Sequence, residues 1–288
     1  MTDRPARLVD AHVHLWDPAR TDWYPYLSGA TDVGLGDVSG MARRFDEPTY
    51  RTESPGWNVE KLVNVAAATG AQSVDETLVI DAQAAATGQP VAIVGGITPS
   101  APLAEVVGQI DRQMAAPRLR GVRPMGVADH PVPAPEVLVA LQERDLVFDL
   151  MAHADGLRAS ADALAAVDGL AVVVEHTGWP RSDTPEELAL WREGLTALAD
   201  LGERVACKLS GLAMPLGAMD ADAFAPWIEF AIEAFGVDRC LFASNFPVDG
   251  LHGTLDQLWA TYDTVTAGLD PADRTKLFAT NAERVYRC

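Results

Sequence analysis

RLVDAHVHLWDP, Arg7 to Pro18, runs from a short apolar segment directly into two histidines spaced two apart. The apolar part reads as a strand. His12 and His14, at i and i+2 on that strand, then face the same way, with Asp10 on the same face one step deeper. Two imidazoles so placed converge on a common centre, as a metal site requires. A pair of this kind at the end of a first strand fits one architecture in particular, because the chemistry of parallel barrels sits at the C-terminal ends of their strands.

Seven more apolar runs follow, near 61–67, 91–96, 118–124, 146–152, 170–176, 204–210 and 239–244. They are rich in Val, Leu and Ile and continuous rather than alternating, which suits parallel strands covered on both faces. Most are followed by a helical stretch. In TPEELALWREGLTALADLG, Thr184 stands as N-cap, Pro185 in the first turn and Glu187 three residues after the cap, a capping box with proline in its permitted place. Eight strand–helix repeats predict a distorted (β/α)8 TIM barrel as one domain over residues 1–288; a doubly wound sheet is the rival. Residues 15–60, with Trp16, Trp23, Tyr24 and Tyr26, read as an excursion over the barrel mouth that lines a substrate pocket, or as a loop pinned by its aromatics.

Composition narrows the partners. The 288 residues include 22 Lys and Arg against 41 Asp and Glu, a net charge of −19. So acidic a surface repels nucleic acid and anionic membranes, and a small-molecule substrate is the expected partner. Cys207, Cys240 and Cys288 form no disulfide framework, no signal peptide is visible and no apolar run reaches 18 residues, so a soluble, cytoplasmic protein is expected. A homodimer is open, with exposed aromatic loops as its face.

The histidines are His12, His14, His130, His153, His176 and His252, and all fall near C-terminal strand ends or in the loops that follow. His176, closing LAVVVEH, and His153, after LVFDLMA, are read as site residues. For His130 and His252 an ordinary loop histidine is an equal reading. Arg123, ending the fourth run, suits a substrate carboxylate, or a structural ion pair. Lys208 holds an anion, or neutralises Asp10 or Glu175. Ser210 and Ser244 lie near the rim as hydrogen-bond donors, outside any GxSxG pattern. Glu76 belongs to the site or caps a helix.

DAHVHLWDP, RGVR, FDLMAH, VVVEHTGWP, ACKLSG, LFASNFPVD and KLFATNAERVYR extend from Asp10 to Arg287. Together they resemble the amidohydrolase superfamily, in its branch of small lactonases (L-fuconolactonase-like, L-rhamnono-γ-lactonase-like and 2-pyrone-4,6-dicarboxylate hydrolase-like). The resemblance implies a distorted (β/α)8 barrel that hydrolyses a cyclic ester, with either no cofactor or one divalent ion, zinc or manganese. It matches His12, His14 and His176 to the family's site histidines and to possible metal ligands. Asn245 stands where the family has an aspartate that serves as metal ligand and general base. An amide carries no charge and takes no proton near neutral pH. Three routes follow: Asp249 folds back as base, His153 or His176 is the base, or hydrolysis is lost and a binding pocket remains. Decarboxylation is the competing reaction. Trp16 and Tyr24 are expected to close over the substrate.

Overall fold

The computed structural model describes residues 4–29, 36–125 and 132–288. Eight parallel strands follow one another in chain order: β1 Leu8–Val13, β2 Val59–Val65, β3 Ala92–Ile97, β4 Leu119–Pro124, β5 Val147–Leu150, β6 Val172–Val174, β7 Val205–Leu209 and β8 Cys240–Phe242. Each lies within about two residues of an expected run, and the fold is a (β/α)8 barrel rather than a doubly wound sheet, whose order would reverse. The seam between β1 and β8 closes above the strands. There Asn245 N donates to His12 O at 2.8 Å and His14 N to Phe246 O at 2.8 Å.

Side chains alternate between two apolar layers. Val9, Ala11, Val63, Val65, Ala92, Val94, Val147, Val173, Ala206, Leu241 and Ala243 fill the barrel interior. Leu8, Leu62, Phe148, Val172, Cys207 and Phe242 pack outward under the helices. The C-terminal segment sends Ala279, Ala282 and Tyr286 into the interior layer. Its Glu283 pairs with Arg7 and Lys61, which flank the starts of β1 and β2, so this segment plugs the N-terminal end. The other end is left as the mouth.

The expected capping box is half formed. Thr184 Oγ1 accepts from Glu187 N, but the Glu187 carboxylate accepts from Arg181 N at 2.9 Å instead of closing on the cap. Among its described residues the 15–60 excursion contains two short 3-10 turns, Pro25–Ser28 and Ser39–Met41, and the helix Glu47–Glu53. Its aromatics point inward: Trp16, Trp23, Tyr24 and Tyr26 are all buried, so they form no exposed face for a partner copy. Among the described residues no helix is long and apolar enough to cross a membrane.

Candidate active site

Asp10 does not share a face with His12. One extra residue sits in β1 between Asp10 and Val13 relative to β2, and a bulge of this kind reverses the alternation. Asp10 therefore faces the outer layer, where its carboxylate accepts from Tyr50 Oη at 2.9 Å, Ser244 N at 2.8 Å and His12 N at 3.1 Å. It braces the seam. His12 and His14 are thereby delivered to the mouth with their Nε2 atoms 3.2 Å apart.

Their other nitrogens define what those Nε2 atoms are. A carbonyl only accepts, so His14 Nδ1–H donates to Val65 O at 2.8 Å and its Nε2 carries a lone pair. His12 Nδ1 lies 3.4 Å from Glu175 Oε1, and both atoms are buried without a hydrogen-bond partner among the described residues. A proton on His12 Nδ1 directed at Glu175 satisfies both and turns a second lone pair toward the first.

His176 comes to this centre through an unusual turn. His176, Thr177, Gly178 and Trp179 all have positive φ. Left-handed backbone at three non-glycine residues stores about 1–3 kcal/mol each. The turn is held by Gly178 N to Glu175 O at 2.9 Å, Trp191 Nε1 to Thr177 O at 2.7 Å and Thr177 Oγ1 to Ser210 O at 3.2 Å. The His176 ring then stands 4.6 Å from that of His12, with Nδ1 3.1 Å from Ser210 Oγ. Gly211, at φ +68°, makes room: a Cβ there would sit 2.6 Å from His176 Cβ.

Glu175 is the hub beneath the rings. Its Oε2 accepts from Arg123 Nη1 at 3.1 Å and lies 4.0 Å from His176 Nε2, and its Oε1 is 3.9 Å from Lys208 Nζ. Lys208 in turn donates to Asp149 Oδ2 at 2.6 Å, and Tyr286 Oη donates to the same carboxylate at 2.8 Å. Lys208 is fully buried. It is a counter-ion inside the barrel, paired with Asp149 rather than Asp10, and not a substrate contact. Arg123 is likewise met by a protein carboxylate rather than left free for one on the substrate.

Electrostatics follow from enclosure. Burial first, then the nearby Lys208 and Arg123 charges, hold His12 well below the usual histidine range. Burial brings His14 down to about 3. Burial, Arg123 and Lys208 lower His176. All three rings are neutral at neutral pH, with lone pairs to offer.

The remaining expected residues are distributed around this centre. Trp16 stacks on His14, 5.7 Å between centroids, and donates Nε1–H to Arg43 O. Tyr24 commits its hydroxyl to Glu76 Oε1 at 2.8 Å, so it braces the wall instead of reaching into the mouth. Glu76 caps no helix; its Oε2 takes the amides of Ala67 and Ala68 after β2. His153 is half-buried on the far side, its ring tilted against Trp179 with centroids 4.5 Å apart and its Nδ1–H donating to Trp179 O at 3.2 Å. His252 is exposed on a turn, and His130 lies outside the described residues. Ser244 Oγ meets His12 O and Phe246 N in the seam.

Asp249 folds back only as far as Asn245. Asn245 Nδ2 donates to Asp249 Oδ1 at 2.9 Å, and the carboxylate is fully buried. It does not face the mouth as a base. Burial pushes it up to about 7. Between about pH 4 and 7 the folded chain thus keeps a proton that the unfolded chain has released, so this group's contribution to stability is lost as pH rises. Compared with Asp249→Asn, the wild type is expected to lose about 2–4 kcal/mol of stability from pH 4 to pH 7. Urea unfolding of both proteins across that range measures it; a pH-independent difference would contradict it.

The histidines suit a divalent ion. Two zinc-bound nitrogens, each about 2.0–2.1 Å from the metal in tetrahedral geometry, stand roughly 3.4 Å apart, close to the separation of the two Nε2 atoms. The Nδ1 partners are those of metal-bound imidazoles, a carbonyl and a carboxylate. One ligand atom each from His12, Glu175 and His176 also falls within 4.8 Å of the others.

Residues 9–288 match the sequence profile of the family Amidohydro_2, described as amidohydrolase. The uncharacterised protein y4mH of Sinorhizobium fredii is 30% identical over 97% of this chain and 98% of its own length. The L-fucono-1,5-lactonase of Burkholderia multivorans is 28% identical over 96% of this chain and 95% of its own. A crystal structure of an amidohydrolase from Burkholderia multivorans with bound zinc superposes with a TM-score of 0.79 at 24% identity, covering 98% of this chain and 99% of that one.

Proposed function

The chain belongs to the amidohydrolase family, and from that premise we propose that it hydrolyses small neutral lactones, sugar-derived ones foremost. The observation that carries the reading is the convergence of His12 Nε2 and His14 Nε2 at 3.2 Å, beside His176, at the barrel mouth. The likeness to an L-fucono-1,5-lactonase supports it.

His12 and His14 would hold the zinc or manganese ion, and His176 beside them keeps its Nε2 lone pair for a proton. Bound there, the ion would polarise the lactone carbonyl. The protein's own groups do the rest. Glu175 orients His12 through Nδ1. A water attacks the carbonyl carbon, and His176 takes its proton at Nε2, with the Glu175 carboxylate 4.0 Å away to stabilise the imidazolium. As the ring C–O bond breaks, that proton passes to the departing ring oxygen, giving the hydroxy acid. Trp16, Trp179 and His153 wall the mouth and keep bulk water from the centre.

Charge selects among lactones. The two cations buried in the barrel are committed, Arg123 to Glu175 and Lys208 to Asp149. Segments 30–35 and 126–131 bring no lysine or arginine. The ion that His12 and His14 would hold can take one carboxylate of a dicarboxylate ring, but the second meets only Arg123 and Lys208, each already paired, whereas hydroxyl-bearing neutral rings meet imidazoles and carbonyls.

Purified protein assayed by acid release on a panel of neutral γ- and δ-lactones and on an acidic pyrone is expected to favour the neutral rings at least tenfold in kcat/KM. A preference for the acidic ring would reverse the charge assignment. Asn245, which takes no proton, favours one second reading, a binding barrel without turnover. Lactones that bind, with or without added metal, and are never opened would establish that one.

A further inference from the structure

Asn245, three residues beyond β8, has the left-handed conformation, φ +55°, with its main chain tied to both sides of the mouth. Its N–H donates to His12 O, and its carbonyl takes the amides of Val248 and Asp249 at 2.9 and 3.2 Å. The backbone therefore caps the turn, and the side chain is released for something else. That side chain is a planar amide with two unlike edges. The NH2 edge meets Asp249 Oδ1 at 2.9 Å; the proton that this buried carboxyl retains goes to the unpartnered Oδ2, so Oδ1 accepts and selects that edge. No hydrogen bond among the described residues ends on Asn245 Oδ1. The residue keeps a 4% exposure at the mouth, while Asp249 keeps none.

Asp249 has an orientation of its own to impose. Its carboxyl lies within the electrostatic reach of the Gly211 and Ala213 backbone, in the turn after β7. Gly211 is the residue that makes room for the His176 ring. One buried carboxyl thus stands between the β7 turn beside His176 and the amide of Asn245, which it holds through Oδ1. Its second oxygen, Oδ2, has no hydrogen-bond partner among the described residues.

We propose that Asp249 is a positioning residue for Asn245: it holds the amide with Oδ1 turned to the mouth, an uncharged acceptor for the attacking water beside His12. This rests on the hydrolase reading above. Accepting one O–H from Oδ1's side orients the water's lone pair at the carbonyl carbon and leaves its other proton for His176. With the NH2 edge turned in instead, the water would receive a hydrogen bond where it must give one.

The test separates positioning from scaffolding by a double-mutant cycle. Asp249→Ala is expected to lower kcat at least tenfold with KM changed less than threefold. Asp249→Asn, whose side-chain oxygen accepts the same bond, should restore most of it. In an Asn245→Ala background, Asp249→Ala should cost less than threefold more, because the two act through one amide. A full-sized loss in that background, with the protein folded, would overturn the proposal. The side-chain amide of Asn245 in the wild-type protein gives a second readout that needs neither substrate nor a variant that folds. Its NH2 protons should be shifted and protected from exchange in 15N NMR, and freely exchanging protons would also overturn the proposal. Protected protons in a protein that opens no lactone would keep the positioning and discard the hydrolase reading instead.

Discussion

His12→Ala is expected to lower kcat/KM on the best neutral lactone by about a thousandfold, the range found when a group that stabilises developing charge is removed. His12 is the ring on which the centre depends. It meets His14 edge to face and through Nε2, faces Glu175 through Nδ1 and lies tilted against His176, 4.6 Å between ring centroids. His176→Ala should cost about 10²–10⁴ through loss of the proton acceptor. The double variant should be little worse than either single one, because groups acting as a unit are not additive. Neither change should unfold the chain. Each removes a buried imidazole whose hydrogen bonding is incomplete or limited to one serine hydroxyl. Exposed His252→Ala supplies the control and should keep full activity. Steady-state kinetics on the four proteins measure all of this; a His12→Ala enzyme within tenfold of wild type would remove this centre from the mechanism.

The fold was legible because its signals are local and repeated. Each strand is a short branched-apolar run, and eight such runs spaced by helical stretches leave few other architectures. The rim histidines were legible for the same reason, since a strand's last residue marks the mouth. Face and partner were not. A bulge between Asp10 and Val13 undid the simple alternation that placed Asp10 beside His12. Lys208 finds Asp149, 59 residues earlier, and nothing in ACKLSG states that choice. Glu175, the hub, reads from the sequence only as a neighbour for Lys208, yet the sequence carries a signal. A glutamate inside LAVVVEH and an aspartate inside LVFDLMA are charges within apolar runs, and a buried charge has to be paired. The left-handed turn at His176–Trp179 left one trace, the glycine of HTGW. The orientation of the Asn245 amide left none, because it depends on a carboxylate brought back by the next turn.

Lys208→Met is expected to destabilise the protein by about 3–5 kcal/mol, the cost of breaking a buried ion pair from one side. That is a large part of the roughly 5–15 kcal/mol by which domains are stable. Lys208 is the cation between two carboxylates, 2.6 Å from Asp149 and 3.9 Å from Glu175, and none of the three has appreciable solvent to fall back on. Met keeps most of the stem volume, so the loss reports charge rather than a cavity. Desolvation already raises Asp149, and Lys208 is the main charge opposing that rise. Without it the carboxylate takes up a proton at neutral pH. Removing the whole lower pair should therefore be milder than removing half of it. Lys208→Met with Asp149→Leu and Tyr286→Phe leaves no orphaned carboxylate or hydroxyl in that layer and should recover much of the lost stability. Activity should not recover with it. Glu175 sits one layer nearer the mouth and still lacks its neighbouring cation, so it is held by Arg123 alone and turns less firmly toward His12. Urea unfolding at pH 7 and lactone kinetics on the single and triple variants separate the two effects. Stability and activity recovering together would mean that Lys208 serves the barrel alone, with no part in orienting the residue beneath the histidines.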